Sequence, residues 1–448
     1  MTENSSLGRI LFITLGCAKN EVDTDRMRAL LLASGFEETF DVEDADAAIV
    51  NTCSFLASAT EESVEATLEL AESRAEGVRS CPIIMCGCVP SRYGDDLPEQ
   101  LPEVAAFVKA EDEDGIVDVV AGVLGVSVGA PVLDAGAMLR TVQDASAFVK
   151  ISEGCDRFCA FCAIPYIRGR YHSRPADEIV SEVSALMERG VREVVLIGQD
   201  TGIWGSDFDD DETLAELLVR VAEVVRPYNG WVRVLYLQPE GMTDELIAAI
   251  RDTPEVLPYI DIPIQHCSAR VLKAMGRSGD PQQLHELFAK LRSEIPGMVL
   301  RTTGMAGFPG ETDEEADELF DFIESEEFDY TSVFAYSQEE GTRAAAMDGQ
   351  VDEETKLERT QRLIDLVEEL GFSATAKHVG ERVEVIVDGV EETEDGVELI
   401  GHAWFQAPDC DGAVHIASGE AAVGDIVTVD LVDSFCYEMV GEIVKEVM

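Results

Sequence analysis

Three cysteines in one short stretch, Cys155-Asp-Arg-Phe-Cys159-Ala-Phe-Cys162, could do chemistry together. Thiolates at this spacing can converge from a single loop onto one metal centre, and thiolate ligation suits an iron–sulfur cluster or zinc. Zinc sites usually pair cysteines at short spacing with a second, distant pair. No such pair follows Cys162 in the sequence. Three ligands on a four-iron cluster leave one iron without a protein ligand, open to a small molecule. A pure electron carrier gains nothing from a missing ligand and usually presents four cysteines. The competing readings are a zinc or buried-thiol loop and a non-catalytic iron–sulfur protein.

A second group comprises Cys17, Cys53, Cys81, Cys86 and Cys88. Cys17, Cys53 and Cys88 each fall just beyond a short apolar run that reads as a strand. In a parallel sheet such strand ends share one edge, where α/β proteins bind ligands. Cys81 begins its strand and belongs to the opposite edge. Cys86 ends that strand and competes with Cys88; Gly87, which frees the chain, favours Cys88. Buried cysteines as plain small hydrophobes are the bland alternative. Cys267, Cys410 and Cys436 match no motif.

Polar residues also close several later apolar runs. Ile197-Gly-Gln-Asp-Thr201 and Ile262-Pro-Ile-Gln-His266 aim Gln199, Asp200, Gln265 and His266 at one face, if their strands lie parallel. Gly307-Phe-Pro-Gly-Glu-Thr312 reads as a tight turn over a ligand, with Thr312 and Glu315 forming a capping box.

These groups need elements to hold them. Arg9–Thr14, Asp46–Asn51 and Pro82–Cys86 read as strands, with helices over Asn20–Ala33 and Ser58–Glu76 between them. Two successive βαβ crossovers give a doubly wound parallel sheet. A looser acidic stretch follows at 111–145. Six further strand runs, Phe148–Ile151, Glu193–Ile197, Val232–Leu237, Tyr259–Ile264, Val299–Thr303 and Tyr330–Tyr336, alternate with helical segments and give a partial (β/α) barrel. A long helix, Asp352–Leu370, is expected to stop at Gly371. Five short strands from Val383 onward fit a small β-barrel of the OB type. The expected domains are 8–125, 141–372 and 375–448.

The chain has 448 residues and a formal net charge of −56. Such a field repels phosphates and attracts basic partners, although a general acidic bias would produce it too. No apolar run is long enough to span a membrane, and no signal peptide is read at the start. A cytoplasmic setting is expected, where cysteines bind metal rather than form disulfides.

The Cys155–Cys162 motif, placed after the first barrel strand, resembles the radical S-adenosylmethionine superfamily. Gly16-Cys-Ala-Lys-Asn20, Asn51-Thr-Cys-Ser-Phe55 and Gly87-Cys-Val-Pro-Ser-Arg-Tyr93 resemble the N-terminal domain of its methylthiotransferases. The resemblance spans nearly the whole chain and ends in a TRAM-type β-barrel. It implies two [4Fe–4S] clusters, one on Cys155, Cys159 and Cys162, the other on Cys17, Cys53 and Cys88, with S-adenosylmethionine on the open iron of the first. It further implies a cofactor site formed by Phe161, Gln199, Asp200, Gln265, Gly307 and Glu311, and an external electron donor such as flavodoxin or ferredoxin. Arg168-Gly-Arg170 and Ser173-Arg-Pro175 are most similar to the branch that modifies an aspartate of small-subunit ribosomal protein twelve, free or on the ribosome, rather than a tRNA adenosine. Met275-Gly-Arg277 and Phe435-Cys-Tyr437 depart from the usual pattern.

Overall fold

The computed structural model describes residues 6–75, 81–129, 139–142, 144–393 and 396–444. The expected helix end at Glu76 and part of the 111–145 stretch lie outside them.

The first unit is a five-stranded parallel sheet made of β1 (Arg9–Thr14), β2 (Glu37–Thr39), β3 (Ala47–Thr52), β4 (Ile83–Gly87) and β5 (Val104–Lys109), in the order β2-β1-β3-β4-β5. Every residue of β3 and β4 is buried, as expected of central parallel strands covered on both faces. The helices Ala18–Ala33 and Ile116–Leu124 cover one face through Met27, Leu30, Ile116 and Val120, which pack on Ile10 and Ile49. The helix Ala57–Ala75 covers the other, with Leu70 in a cluster with Ala48, Val50, Ile83 and Met85.

The second unit is the expected partial barrel. After β6 (Ser146–Lys150), the short pair β7 (Ser152–Glu153) and β8 (His172–Ser173) brackets the Cys155–Cys162 loop. Then come β9 (Glu193–Ile197), β10 (Trp231–Val234), β11 (Val256–Asp261), β12 (Val299–Ala306) and β13 (Tyr330–Ala335), all parallel in the order β6-β9-β10-β11-β12-β13.

The third unit is a closed five-stranded barrel of β14 (Arg382–Thr393), β15 (Gly396–Ala403), β16 (Val414–Ser418), β17 (Ile426–Ser434) and β18 (Met439–Ile443). Its core runs on into the parallel barrel, where Val385, Phe405 and Val429 join Trp231, Tyr259 and Tyr330 in one apolar cluster. Polar ties reinforce the contact. The Tyr259 hydroxyl donates to Asp411 Oδ2 at 2.8 Å, and Arg233 Nη1 donates to the Trp404 carbonyl at 3.1 Å.

The structure adds to or corrects the sequence expectations in three places. β2 and β5 extend the first sheet beyond the three strands read from sequence. Part of the stretch read as loose is the helix Ile116–Leu124, ending at Gly125 with φ +68°. The long helix does not stop at Gly371 but runs from Glu353 to Ala376. Gly371 is there for close approach: a Cβ on it would lie 2.8 Å from the Tyr437 ring and 2.9 Å from Cys436 Sγ.

Candidate active site between two cysteine sets

The adjacent strands β1, β3 and β4 end on one edge, with Thr14 beside Asn51 and Thr52 beside Gly87. Their loops carry Cys17, Cys53 and Cys88 to that edge. Close approach depends on two glycines. Gly16 (φ +104°) lies under Cys53, and a Cβ there would fall 2.6 Å from Cys53 Cβ. At Gly87 (φ +89°) a Cβ would fall 2.2 Å from Asn51 Oδ1. Asn20, fully buried, joins the three loops: its Nδ2 donates to the Leu15 and Thr52 carbonyls at 2.8 and 2.9 Å, and its Oδ1 lies 3.9 Å from Cys88 Sγ.

The side chains of Cys86 and Cys88 point different ways. Cys86 is sealed in the core with Ile10, Met27 and Ile49, whereas Cys88 packs on Ala163 and Ile167, just beyond Cys162. Cys17 is exposed and occupies the N-cap position of the helix Ala18–Ala33. Burial pushes the Cys53 thiol up and the Cys88 thiol to about 11, with Arg168 pulling both the other way.

The loop between β7 and β8 is held at several points. Gly154 (φ +74°) permits contact with the returning strand; a Cβ there would lie 2.2 Å from the Arg170 carbonyl oxygen. Cys155 N donates to the Gly169 carbonyl at 3.2 Å, Ala160 N to the Met275 carbonyl at 2.7 Å, and Cys162 N to the Cys159 carbonyl at 3.1 Å. Burial raises all three thiols, Cys162 to about 12, and the Arg157 and Arg277 guanidiniums near Cys159 oppose it. Among the described residues no three His, Cys, Asp or Glu side chains close in far enough to grip a single ion. A four-iron cluster spreads three thiolates over three irons rather than gathering them on one ion.

The other expected site residues are placed as follows. Gln199 and Asp200 stand just past β9, each with one buried side-chain oxygen lacking a hydrogen-bond donor. Gln199 Nε2 donates to Glu153 Oε1 at 2.8 Å, and Asp200 Oδ2 accepts from Arg157 Nε. Burial raises the Asp200 carboxyl against that pull. S-Adenosylmethionine brings an ammonium and ribose hydroxyls, donors of the kind these two orphaned oxygens lack. Gln265 adopts φ +67°, bridged to β12 through Thr303 and Met305. Phe161 packs against the apolar cluster of Val271, Met275 and Phe308. Gly307 (φ +79°) rests on the Lys356 side chain. Glu311 faces its own turn, its Oε2 accepting from Gly307 N and from Phe308 N at 2.9 Å. His266 is buried, accepts from Ser268 N at Nδ1, and is held down to about 4 by burial, so Nε2 carries the proton. The Thr312–Glu315 capping box is present.

Sequence reasoning missed the polar chain that leads away from Cys88. Arg168, buried, donates to Asn20 Oδ1 and Asp23 Oδ2, each at 2.6 Å. Lys150 donates to Asp23 Oδ1 and, at 2.8 Å, to Glu153 Oε2. A continuous polar chain thus runs from Cys88 through Asn20, Arg168, Asp23, Lys150 and Glu153 to Gln199. Burial alone would raise the Glu153 carboxyl, but Lys150 and Arg168 outweigh it and hold it at about 2. Lys19 was also missed; burial lowers its ammonium to about 8. The only sequence signal was the position of Lys19 and Asn20 inside the Cys17 motif.

Comparison with known proteins agrees with this architecture. Residues 149–323 match the radical SAM superfamily, residues 9–109 the uncharacterized protein family UPF0004, and residues 379–444 the TRAM domain. The chain is 42% identical over 452 residues to the ribosomal protein uS12 methylthiotransferase RimO of Pelobacter propionicus, with 98% of this chain and 99% of that protein covered. It is 41% identical to RimO of Trichlorobacter lovleyi (99% and 100% covered) and 40% identical to RimO of Geobacter sulfurreducens (98% and 99% covered). The radical S-adenosylmethionine methyltransferase TsrM from Kitasatospora setae, solved with cobalamin and a [4Fe–4S] cluster bound, shares the fold at a TM-score of 0.56 and 13% identity, over 73% of this chain and 72% of that one.

Proposed function

The chain belongs to the RimO family of ribosomal protein uS12 methylthiotransferases, radical SAM enzymes, and from that premise we propose that it adds a methylthio group to the β-carbon of an aspartate in uS12. The observation that carries the reading is that Cys88 of one three-cysteine set packs on Ala163 and Ile167, in the segment just after Cys162 of the other, with Asn20 and Arg168 hydrogen-bonded beside it. Radical generation and sulfur supply are separate tasks, and the reading assigns one to each cysteine set.

We assign one [4Fe–4S] cluster to Cys155, Cys159 and Cys162 and a second to Cys17, Cys53 and Cys88. Bound there, the first would supply one-electron reducing chemistry for cleavage of S-adenosylmethionine, and the second would supply sulfur chemistry for the insertion. The protein's own residues do the rest. Arg157 and Arg277 flank the first thiol set with positive charge. Gln199 and Asp200 offer acceptors to the cofactor, and Gln265 and Phe161 line the same strand-end face. Gly307 and Glu311 act through the shape of their turn, since the Glu311 carboxylate binds its own backbone. Functional divisions at 8–125, 141–372 and 375–448 follow from the same reading.

Charge supports a basic protein substrate. Residues 376–448, the small barrel, hold 17 acidic and 3 basic residues, a net −14. An RNA-docking domain needs Lys and Arg to neutralise phosphates, whereas this field attracts a Lys/Arg-rich protein. No helix among the described residues is long and apolar enough to cross a membrane. A flavodoxin- or ferredoxin-type donor would supply the electron. The test is anaerobic incubation of the reconstituted protein with S-adenosylmethionine, a reductant and purified uS12. One aspartate of uS12 should gain the mass of a methylthio group. Modification of a tRNA adenosine in place of uS12 would overturn the substrate assignment.

A further inference from the structure

The loop that leaves β13 touches chain next to both cysteine sets. Glu339, only 2% exposed, reaches across to the first unit. Its Oε1 accepts at 2.9 Å from Ala57 N, where the helix Ala57–Ala75 begins just past Cys53. Its Oε2 stands 3.0 Å from Nη1 of Arg92, in the short helix Cys88–Tyr93 that opens on Cys88. Arg92 Nη1 also donates at 2.7 Å to the carbonyl of Ser54, the neighbour of Cys53, and its Nη2 donates to the Glu340 carbonyl at 3.3 Å. One carboxylate therefore holds the Cys53 and Cys88 loops to each other and to the barrel. Slightly further along, the same loop grips the other set. Arg343 Nη2 donates at 3.2 Å to the carbonyl of Phe158, the neighbour of Cys159. Ala344 N donates at 2.8 Å to the carbonyl of Ala160, between Cys159 and Cys162. Ala344 is fully buried in a cluster with Ala160, Met275 and Phe308.

The turn between these grips is fixed. Thr342, buried, donates to the Glu339 carbonyl from Oγ1 at 2.7 Å and from N at 3.2 Å, and its Oγ1 accepts from Ala345 N at 3.3 Å. Ser337 Oγ donates to Glu339 Oε1 at 2.6 Å. A buried carboxylate is costly unless it is paired and hydrogen-bonded. Here the partners come from Ala57, Arg92 and Ser337, distant parts of the chain, so satisfying the charge also locks those parts in place. The start of a helix suits the carboxylate further, because its first N–H groups lack intrahelical acceptors.

We infer that Glu339 is a positioning residue: through the turn at 339–344 it sets the spacing between the Cys53 and Cys88 loops on one side and the Cys155–Cys162 loop on the other. This rests on the reading that the two cysteine sets serve a methylthiotransferase. Sulfur insertion needs both sets to act on one substrate carbon, whereas cleavage of S-adenosylmethionine needs only the first. A loosened bracket should cost insertion and spare cleavage, since a misplacement of about 1 Å can cost about 100-fold in rate.

The test uses the full chain, reconstituted anaerobically, as the parent, Glu339→Gln and Glu339→Ala. Glutamine keeps an acceptor for Ala57 N and loses the charge that pairs with Arg92; alanine loses both. Methylthio-uS12 formed per 5′-deoxyadenosine should fall about 10- to 100-fold in Glu339→Ala and by less in Glu339→Gln. Destabilisation alone would lower both products together and leave their ratio unchanged. A second readout needs neither cluster nor substrate. In the cluster-free chain, amide hydrogen exchange at residues 54–60 should quicken in Glu339→Ala, while residues 158–162 keep the parental rate. Should Glu339→Ala take up too little iron, the ratio in Glu339→Gln and the exchange in both variants decide. A parental ratio in the variants, an equal fall of the two products, or parental exchange at residues 54–60 overturns the inference and leaves Glu339 a structural contact. If the parent makes no methylthio-uS12, the functional reading falls, and the exchange alone shows whether Glu339 braces the two loops.

Discussion

Docking of the small β-barrel should depend on pH through His402. The imidazole is buried, with Nε2 2.8 Å from Glu193 Oε2 on β9 and Nδ1 2.6 Å from Asp388 Oδ2 on β14. Arg233 shares Glu193 from β10, Asp409 adds negative charge, and the Trp231 ring lies edge-on at 6.0 Å. Burial opposes protonation, but the two carboxylates prevail and raise His402 from 6.5 to about 9. A group whose folded pKa is raised stabilises fully below its unfolded value and loses that contribution as pH climbs through the folded one. From 6.5 to about 9, at ~1.4 kcal/mol per pH unit, the contribution is about 3 kcal/mol. It should be complete at pH 6 and gone by pH 10. The perturbation is His402→Gln, assayed by tryptophan-fluorescence thermal unfolding of both proteins across that range. The variant should unfold earlier at pH 6, and the two midpoints should converge toward pH 10. A gap that stays constant or widens with pH would refute the reasoning.

Gly371→Ala should destabilise by about 1–3 kcal/mol through collision with Tyr437 and Cys436, despite the ~1 kcal/mol that alanine adds to helix propensity; denaturant unfolding checks it. Arg168→Met should cost about 1–3 kcal/mol by taking the donor from Asp23 Oδ2 and Asn20 Oδ1 while Asp23 keeps Lys150, and Arg168→Lys should recover only part of it, because lysine lacks the fork that reaches both acceptors. Iron analysis of the anaerobically reconstituted parent should give about eight irons, falling by half when Cys155, Cys159 and Cys162 become Ala and equally when Cys17, Cys53 and Cys88 do. Loss of the first set should also abolish 5′-deoxyadenosine, whereas loss of the second should leave uncoupled cleavage without methylthio product.

Much of this was legible in the sequence because spacing and strand ends carry it. The Cys155–Cys162 loop announced itself locally, and the alternation of apolar runs placed Cys17, Cys53 and Cys88 on one edge. The elements that escaped have weak local signals. β2 is three residues long with two acids, and the helix Ile116–Leu124 is rich in valine and isoleucine, which periodicity alone does not separate from a strand. Gly371 read as a stop because its partners, Tyr437 and Cys436, are more than sixty residues away in the chain. The same distance hid the polar chain beside Cys88. Asp23, Lys150, Glu153 and Arg168 are ordinary charges until folding places them on one chain of hydrogen bonds. Glu311 shows a feature spacing could not give: one carboxylate oxygen is bound to its own turn, at Gly307 N and Phe308 N.

The most direct test of the central claim is intact-protein mass spectrometry of uS12 from cells with and without this protein. In its presence uS12 should carry one methylthio group on a single aspartate, and in its absence that mass should vanish while the tRNA adenosines keep theirs. An unchanged uS12 mass, with a tRNA adenosine losing its methylthio group instead, would contradict the account.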